Sequence, residues 1–155
     1  MALPLPPFTT LVEQHRNAVW AYLVSVAGPA NAPDLLQDTL LSALRAYPSV
    51  RDASNLRSWL LSVAHSRVVD DVRRRQRRPE VVTDDLPHDA VADPTIDDEL
   101  WTRVRRLPEK QRHAVVLRFV GDLPYADIAD LVGCSEPAAR QNVRAALARL
   151  REELS

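Results

Sequence analysis

Apolar residues recur at spacings of three and four along almost the whole chain, and this feature restricts the fold more than any other. Over residues 36–47, for example, Leu36, Leu40, Ala43, Leu44 and Tyr47 would lie on one side of a helix. Alternation with a period of two, the pattern of a half-buried strand, is almost absent. The sequence therefore predicts an all-α protein, and a hydrophobic content of 46% is ample for its core.

The net charge of −1 conceals an uneven distribution that divides the chain into three parts. Residues 1–79 carry a net charge of +4 and residues 100–155 one of +3, whereas residues 80–99 hold eight acidic side chains and no lysine or arginine. This acidic part shows no sustained helical period. We therefore predict two small helical domains, 1–79 and 100–155, joined by a flexible acidic linker over 80–99. The residues leave open whether the linker is a plain spacer or an arm that shields a basic face.

Several classes of function are excluded by residues that the chain lacks. With glycine only at positions 28, 121 and 133, neither a GxGxxG nor a GxxxxGK[ST] phosphate loop can be written. Cys134 is the only cysteine, which excludes an internal disulfide and favours a reducing compartment. The four histidines form no metal-ligand spacing, and no nucleophile stands with a base. We expect no enzymatic activity, no metal and no cofactor.

The first residues, MALPLPPF, lack a basic region followed by an apolar core. The longest mostly apolar stretch, residues 18–28, is also far short of the roughly 18 residues that a transmembrane helix needs. These observations predict a cytoplasmic protein without membrane insertion.

Three helices are predicted in the first domain. The capping box from Thr10 to Glu13 predicts the start of the first, and Asn31 that of the second. The third begins at Ser54 or Asn55 and ends in the arginine-rich residues 73–78 before Pro79. Because these arginines surround the helix, they suit a polyanion better than a membrane surface.

The second domain contains the spacing of a helix-turn-helix between residues 125 and 135. Small Ala129 stands where two helices would cross, Gly133 follows at the turn, and Ser135 caps the next helix with Pro137 in its first turn. In such a motif the second helix reads the major groove. The residues that we predict to contact duplex DNA are Ser135, Pro137, Arg140, Gln141 and Arg144, with Arg112 and Arg118 as phosphate contacts. The spacing alone is equally compatible with an αα corner in which the two helices only pack against each other.

The polar side of the second helix is a further candidate site. Asp34, Gln37 and Asp38, with Leu41, form either a solvated face or a docking patch for a partner. Trp59 on the third helix is interpreted as a core residue.

Two blocks of sequence together resemble extracytoplasmic-function sigma factors of bacterial RNA polymerase. Residues 34–44 (DLLQDTLLSAL), 56–65 (LRSWLLSVAH) and 70–78 (DDVRRRQRR) resemble region two of that family. Residues 107–119 (LPEKQRHAVVLRF), 123–136 (LPYADIADLVGCSE) and 146–151 (ALARLR) resemble region four. In the recognition helix, Asn142 replaces an arginine that the family often has.

The resemblance implies a role for each predicted surface. The second helix would bind the β′ clamp helices of core RNA polymerase through Asp34, Leu35, Gln37, Asp38 and Leu41, and the β flap is implied as a second contact. The loop over residues 49–55 would hold a flipped base. The implied minus-10 residues are Asn55, Arg57, Arg73, Arg74, Arg75 and Arg77. Region four would read the minus-35 duplex, and an anti-sigma factor is an expected regulator.

The sequence thus predicts a sigma factor that recruits core RNA polymerase to a subset of promoters. Two rival hypotheses remain. A free-standing helix-turn-helix regulator would bind duplex DNA tightly without polymerase. An interaction protein would instead bind an acidic protein partner, and it would show no DNA binding that weakens steeply with salt.

Overall fold

The computed structural model describes residues 4–77 and 98–154 and contains only helices in these ranges. The helices are α1 (Phe8–Ala27), α2 (Ala32–Ala46), α3 (Leu56–Arg77), α4 (Asp98–Arg106), α5 (Glu109–Phe119), α6 (Tyr125–Val132) and α7 (Glu136–Leu154). Short 3-10 turns over Tyr47–Ser49 and Ala53–Asn55 connect α2 to α3. The predicted all-α fold is confirmed. The predicted linker lies outside the described residues except for its last two positions, Asp98 and Glu99, which belong to α4.

The start of α1 differs from the predicted capping box. The helix begins at Phe8, and Thr10 lies inside its first turn, where its amide donates to the carbonyl of Pro7 (3.0 Å). Pro7 at the cap position has no side-chain acceptor, and its carbonyl accepts from the amides of both Thr10 and Leu11 (3.2 Å). Asn31 does precede α2 as predicted, but its side chain donates back to the carbonyl of Ala27 (3.1 Å).

We call α1–α3 the first module and α4–α7 the second module. Helix α1 packs against α4 and α5, and α3 packs against α6. Buried residues of both modules form one continuous hydrophobic cluster, which includes Leu23 and Leu61 of the first and Leu117 and Ile128 of the second. The two modules, which the sequence predicts as separate domains, are therefore packed together in this structure.

A second, smaller cluster supports the beginning of α3. It contains the buried residues Leu11, Tyr47 and Leu56. The ring of Tyr47 lies between those of Phe8 and Trp59, at centroid distances of 5.4 Å and 5.9 Å. Trp59 is half-buried between this cluster and the main one, so the predicted packing role is observed, although one edge remains accessible.

Candidate nucleic-acid and polymerase interface

The helix-turn-helix has the geometry that the sequence predicts. Gly133 adopts a left-handed conformation (φ 78°) between α6 and α7, and its amide donates to the carbonyl of Ala129 (2.9 Å). Ser135 caps α7, because its hydroxyl accepts from the amide of Ala138 (3.2 Å). The turn is therefore defined by local backbone bonds that the sequence pattern encodes.

Replacing Gly133 with valine is expected to lower the free energy of unfolding by about 1 to 2 kcal/mol, because an L-residue is strained in this conformation. A Cβ atom here would meet nothing within 4 Å, so backbone strain would be the whole cost. Urea denaturation measures the change. Gly133→Asn serves as the control, since asparagine tolerates this region. Equal losses in the two variants would contradict the explanation.

The outer face of α7 presents the predicted duplex contacts. Ser135, Pro137, Arg140, Gln141 and Arg144 are all exposed. The opposite face packs into the core through Ala139, Val143, Ala146 and Leu150. Asn142 lies half-buried on the flank of the helix. Side chains that can bond to base edges thus lie together on the accessible side.

Two arginines of this surface share one aromatic ring. The guanidinium carbons of Arg118 and Arg140 lie 4.7 Å and 4.5 Å from the ring centroid of Tyr125. Arg140 also pairs with Glu136 (2.8 Å), and Arg118 donates to the carbonyl of Leu123 (3.1 Å). The ring therefore orients both cations beside the turn.

Arg112 is less available than the sequence predicts. It is half-buried, and its Nη1 donates to the carbonyl of Arg105 (2.7 Å) within the second module. A phosphate contact needs an accessible donor. Arg112 is thus better explained as a residue that ties α5 to α4.

The arginine tract at the end of α3 is exposed, and part of it is oriented by neighbours. Asp71 pairs with Arg74 (3.2 Å) and Arg75 (3.0 Å), and Arg75 also donates to Asn31 (2.7 Å). Arg73 and Arg77 form no ion pair with any described residue. The tract thus combines two cations that Asp71 orients with two that pair with no residue in the described ranges.

The polar side of α2 faces this tract across a narrow groove. A cavity of about 280 Å³ is lined by Asp34, Gln37 and Asp38 on one side and by Asp71, Arg74 and Arg75 on the other. The two surfaces were predicted as separate sites. The fold makes them neighbours.

Leu35 corrects the predicted docking patch. Its side chain is 3% exposed and belongs to the main hydrophobic cluster, so it cannot contact a partner directly. Asp34, Gln37, Asp38 and Leu41 are exposed. Leu35 points inward because it lies on the face that α2 buries against the rest of the first module.

An apolar groove adjoins this patch and was not predicted. Trp20 of α1 lies at one side, and Leu41 and Leu44 of α2, 46% and 52% exposed, lie at the other. Large apolar side chains exposed together mark interaction surfaces. The exposure of Leu44 runs against the sequence prediction, which placed it with the core-facing residues of α2. Trp20 carries no sequence signal that separates it from the other apolar residues of α1, and only its 38% exposure identifies it.

A larger cavity of about 680 Å³ lies at the beginning of α3, beside the predicted base-holding loop. The first module contributes Arg51, Asn55 and Trp59, among others, and the second contributes Asp127, Asp130 and Leu131. Two implied minus-10 residues contact the second module here. Asn55 donates to the carboxylate of Asp127 (3.3 Å), and the Nε of Arg57 donates to the carbonyl of Gly121 (2.8 Å).

The acidic residues Asp127 and Asp130 at this cavity were not predicted as site residues. They stand in the first helix of the helix-turn-helix, far along the chain from Asn55, and only the packing of the modules brings them there. No local pattern in the sequence indicates that contact.

The part of the chain that the structure describes offers no cluster of three side chains able to hold a metal ion. Within the same two ranges, no helix has the length and apolar character to cross a membrane.

Comparison with known proteins identifies both modules. Residues 11–78 match the family described as Sigma-70 region 2, and residues 97–150 match Sigma-70, region 4. The ECF RNA polymerase sigma factor SigC of Mycobacterium tuberculosis is 32% identical over 151 residues, covering 92% of this chain and 78% of the relative. SigM of Bacillus subtilis is 28% identical over 154 residues, covering 93% and 90%.

A solved structure is similar over nearly the whole chain. The sigma factor RpoE from Bartonella quintana, in complex with the anti-sigma factor NepR, superposes with a TM-score of 0.83 and 25% identity. The match covers 97% of this chain and 98% of that one. From these matches to both sigma-70 regions, in the predicted order, the chain belongs to the sigma-70 family of transcription initiation factors, among the extracytoplasmic-function (ECF) sigma factors.

Proposed function

We propose that this protein is an alternative sigma factor that binds core RNA polymerase and directs initiation at promoters with particular minus-10 and minus-35 elements. The first module, residues 1–79, would bind polymerase and open the minus-10 element. The second, residues 100–155 by its division of charge, would read the minus-35 duplex, and residues 80–99, the last two of which belong to α4, would connect the two.

The exposed face shared by α1 and α2 is the observation that carries this proposal. Trp20, Leu41 and Leu44 expose apolar surface beside the carboxylates of Asp34 and Asp38. A regulator that only binds DNA has no use for an apolar and acidic surface, because both features disfavour contact with phosphates. A helical partner fits such a surface, and we assign the β′ clamp helices of core polymerase to it.

The minus-10 role rests on charge and on the shape of the first module. The four exposed arginines at the end of α3 give a positive surface for a single strand. Farther back on the same helix, the cavity beside Asn55 and Trp59 offers an aromatic edge and polar groups to a base that has left the duplex. One helix would thus serve both the backbone and the base.

The minus-35 role rests on α7. Arg140, Gln141 and Arg144 combine the donors that suit guanine with an amide that suits adenine, on an exposed helix face. Contacts of the β flap would fall on the second module. Since the similar RpoE was solved with NepR, we also propose an anti-sigma factor as a regulatory partner.

Run-off transcription with purified core polymerase on a promoter library from the protein's own genome tests the proposal. We expect transcripts from a small set of promoters only when the chain is added. Alignment of the DNA sequences upstream of the transcription start sites would then identify both promoter elements. Tight binding of duplex DNA by the isolated chain, with no polymerase-dependent transcript, would instead favour the free-standing regulator.

A further inference from the structure

A buried polar cluster joins the two modules. The hydroxyl of Tyr22, a fully buried residue of α1, lies 2.9 Å from Nδ1 of His65 in α3 and 3.1 Å from Nδ1 of His113 in α5. The two imidazole rings meet edge to face, with centroids 4.8 Å apart. His113 is 3% exposed and His65 is half-buried. One hydroxyl thus connects both modules.

The hydrogens of this cluster can be assigned from its chemistry. A tyrosine hydroxyl donates one hydrogen and can accept another. Both bonds form when Tyr22 donates to one Nδ1 and accepts from the other, which requires a neutral ring as the acceptor. If both imidazoles are protonated, both Nδ1 atoms carry hydrogen and the hydroxyl of Tyr22 has no acceptor among them. Two adjacent positive charges would then also repel each other.

The surroundings favour the neutral rings. Burial lowers the pKa of His113 to about 3, assisted by the charges of His65 and Arg112. Burial also lowers the pKa of His65, although the carboxylate of Glu109 acts in the opposite direction. Burial raises the pKa of Tyr22 well above its usual value against the opposing charge of Arg112, so its hydroxyl stays protonated.

In the closed arrangement the second module also forms one wall of the large cavity. Asp127 and Asp130 of α6 stand at that cavity, and Asn55 and Arg57 are engaged by the second module. A phosphate that approached this cavity would meet two carboxylates. The outer face of α7 remains exposed in the same arrangement.

We propose that the Tyr22–His65–His113 cluster is a proton-operated latch, which holds the two modules packed together when its imidazoles are neutral and releases them when both are protonated. The release of the modules is a property of the free chain. Only its consequence for the minus-10 strand rests on the proposed function.

The direction of the pH effect follows from the lowered pKa values. When the modules separate, the imidazoles regain contact with water and a pKa near the usual 6.5. The open form therefore binds more protons, and it gains population as the pH falls below that value. His113, whose pKa in the closed form is about 3, contributes about a tenfold change in the open-to-closed ratio per pH unit below 6.5, and His65 adds to it in the same direction.

Energy transfer between two dyes on the full chain tests the latch without polymerase or DNA. One dye is attached to Cys134 and the other to a cysteine introduced as Arg45→Cys, an exposed position in the first module. Between about pH 7.5 and about pH 5.5, we expect the open-to-closed ratio to rise at least tenfold while the helical circular dichroism is unchanged. An unchanged ratio, or a loss of helicity that accompanies the change, would overturn the proposal.

Non-titrating variants assign the response to the cluster. Asparagine places a polar atom near the position of Nδ1 without a titratable group, so His65→Asn with His113→Asn should make the ratio independent of pH. His65→Asn alone, at the less buried position, should give a weaker pH dependence of the open-to-closed ratio. This single variant keeps the test available if the double variant does not fold. A full response in either variant would overturn the proposal.

His15→Asn is the matched control. Its ring is partly buried, and burial followed by the charge of Arg57 lowers its pKa, but the hydroxyl of Tyr22 bonds with His65 and His113 and not with His15. We expect this variant to retain the full response. If His15→Asn alone abolished the response, the pH response would have to be assigned to the contact between Arg57 and the carbonyl of Gly121 instead.

Discussion

Replacing Asp38 with arginine is expected to weaken the binding of core RNA polymerase about a hundredfold. Asp38 is an exposed carboxylate of α2 beside the apolar surface of Leu41. Reversing its charge converts a favourable contact with a basic partner into repulsion, which costs several kcal/mol, and each 1.4 kcal/mol is about a tenfold change in affinity. A pull-down of purified core polymerase with graded amounts of the chain measures the loss.

Asp70→Arg provides the matched control for that experiment. Asp70 is also an exposed carboxylate, paired with Arg67 (2.7 Å) on α3, and it does not line the groove beneath α2. The same change of charge at this position should leave polymerase binding within about twofold, since surface pairs contribute little. Equal losses in both variants would indicate a general effect of net charge and would contradict the assignment of the docking surface.

Replacing Leu117 with alanine is expected to lower the free energy of unfolding by about 3 kcal/mol. Leu117 is fully buried on α5 in the cluster that both modules share, and its truncation would leave a cavity there. A loss of this size is a large part of the stability of a typical domain. Urea denaturation followed by circular dichroism measures it.

Leu147→Ala tests whether burial is the cause. Leu147 is 37% exposed on α7, so its truncation should cost less than about 1 kcal/mol. A similar loss at both positions would show that the shared cluster does not dominate the stability of the chain.

The closed arrangement would affect the two promoter contacts differently. Asn55 and Arg57 are engaged by the second module and α6 lines one side of the large cavity, whereas Gln141 and Arg144 on α7 remain accessible. If the latch holds in the free chain, duplex recognition would precede access to the minus-10 strand. Polymerase binding or protonation would then be needed before the strand could enter.

Local features of the fold could be predicted well from the sequence. The turn at Gly133 and the cap at Ser135 were both correct, because each depends on bonds between residues a few positions apart. The N-cap of α1 was wrong by three residues, since the capping pattern at Thr10 competed with Pro7 and the proline decided the boundary. Competing local signals of similar strength are the usual cause of such shifts.

Surfaces could be predicted only where one helix supplies them. Gln141 and Arg144 lie on the accessible face of α7 that the periodicity indicates. On α2, Leu44 was misplaced on the core side because the same period fits several rotations of the helix, and its neighbours in the fold decide which face is buried. Trp20 was missed for the same reason.

The sequence by itself determined the helical class, the helix-turn-helix and the separation of charge, since these follow from residue types at short spacings. The tertiary structure alone decided that Tyr22 meets His113, 91 positions away, and that Asp127 faces Asn55 across 72 positions. Contacts of that kind depend on how whole helices pack, and helices with similar apolar faces can pack in more than one arrangement. The shared interface, and with it the cavity between the modules and the buried histidines, therefore leaves no local pattern in the sequence.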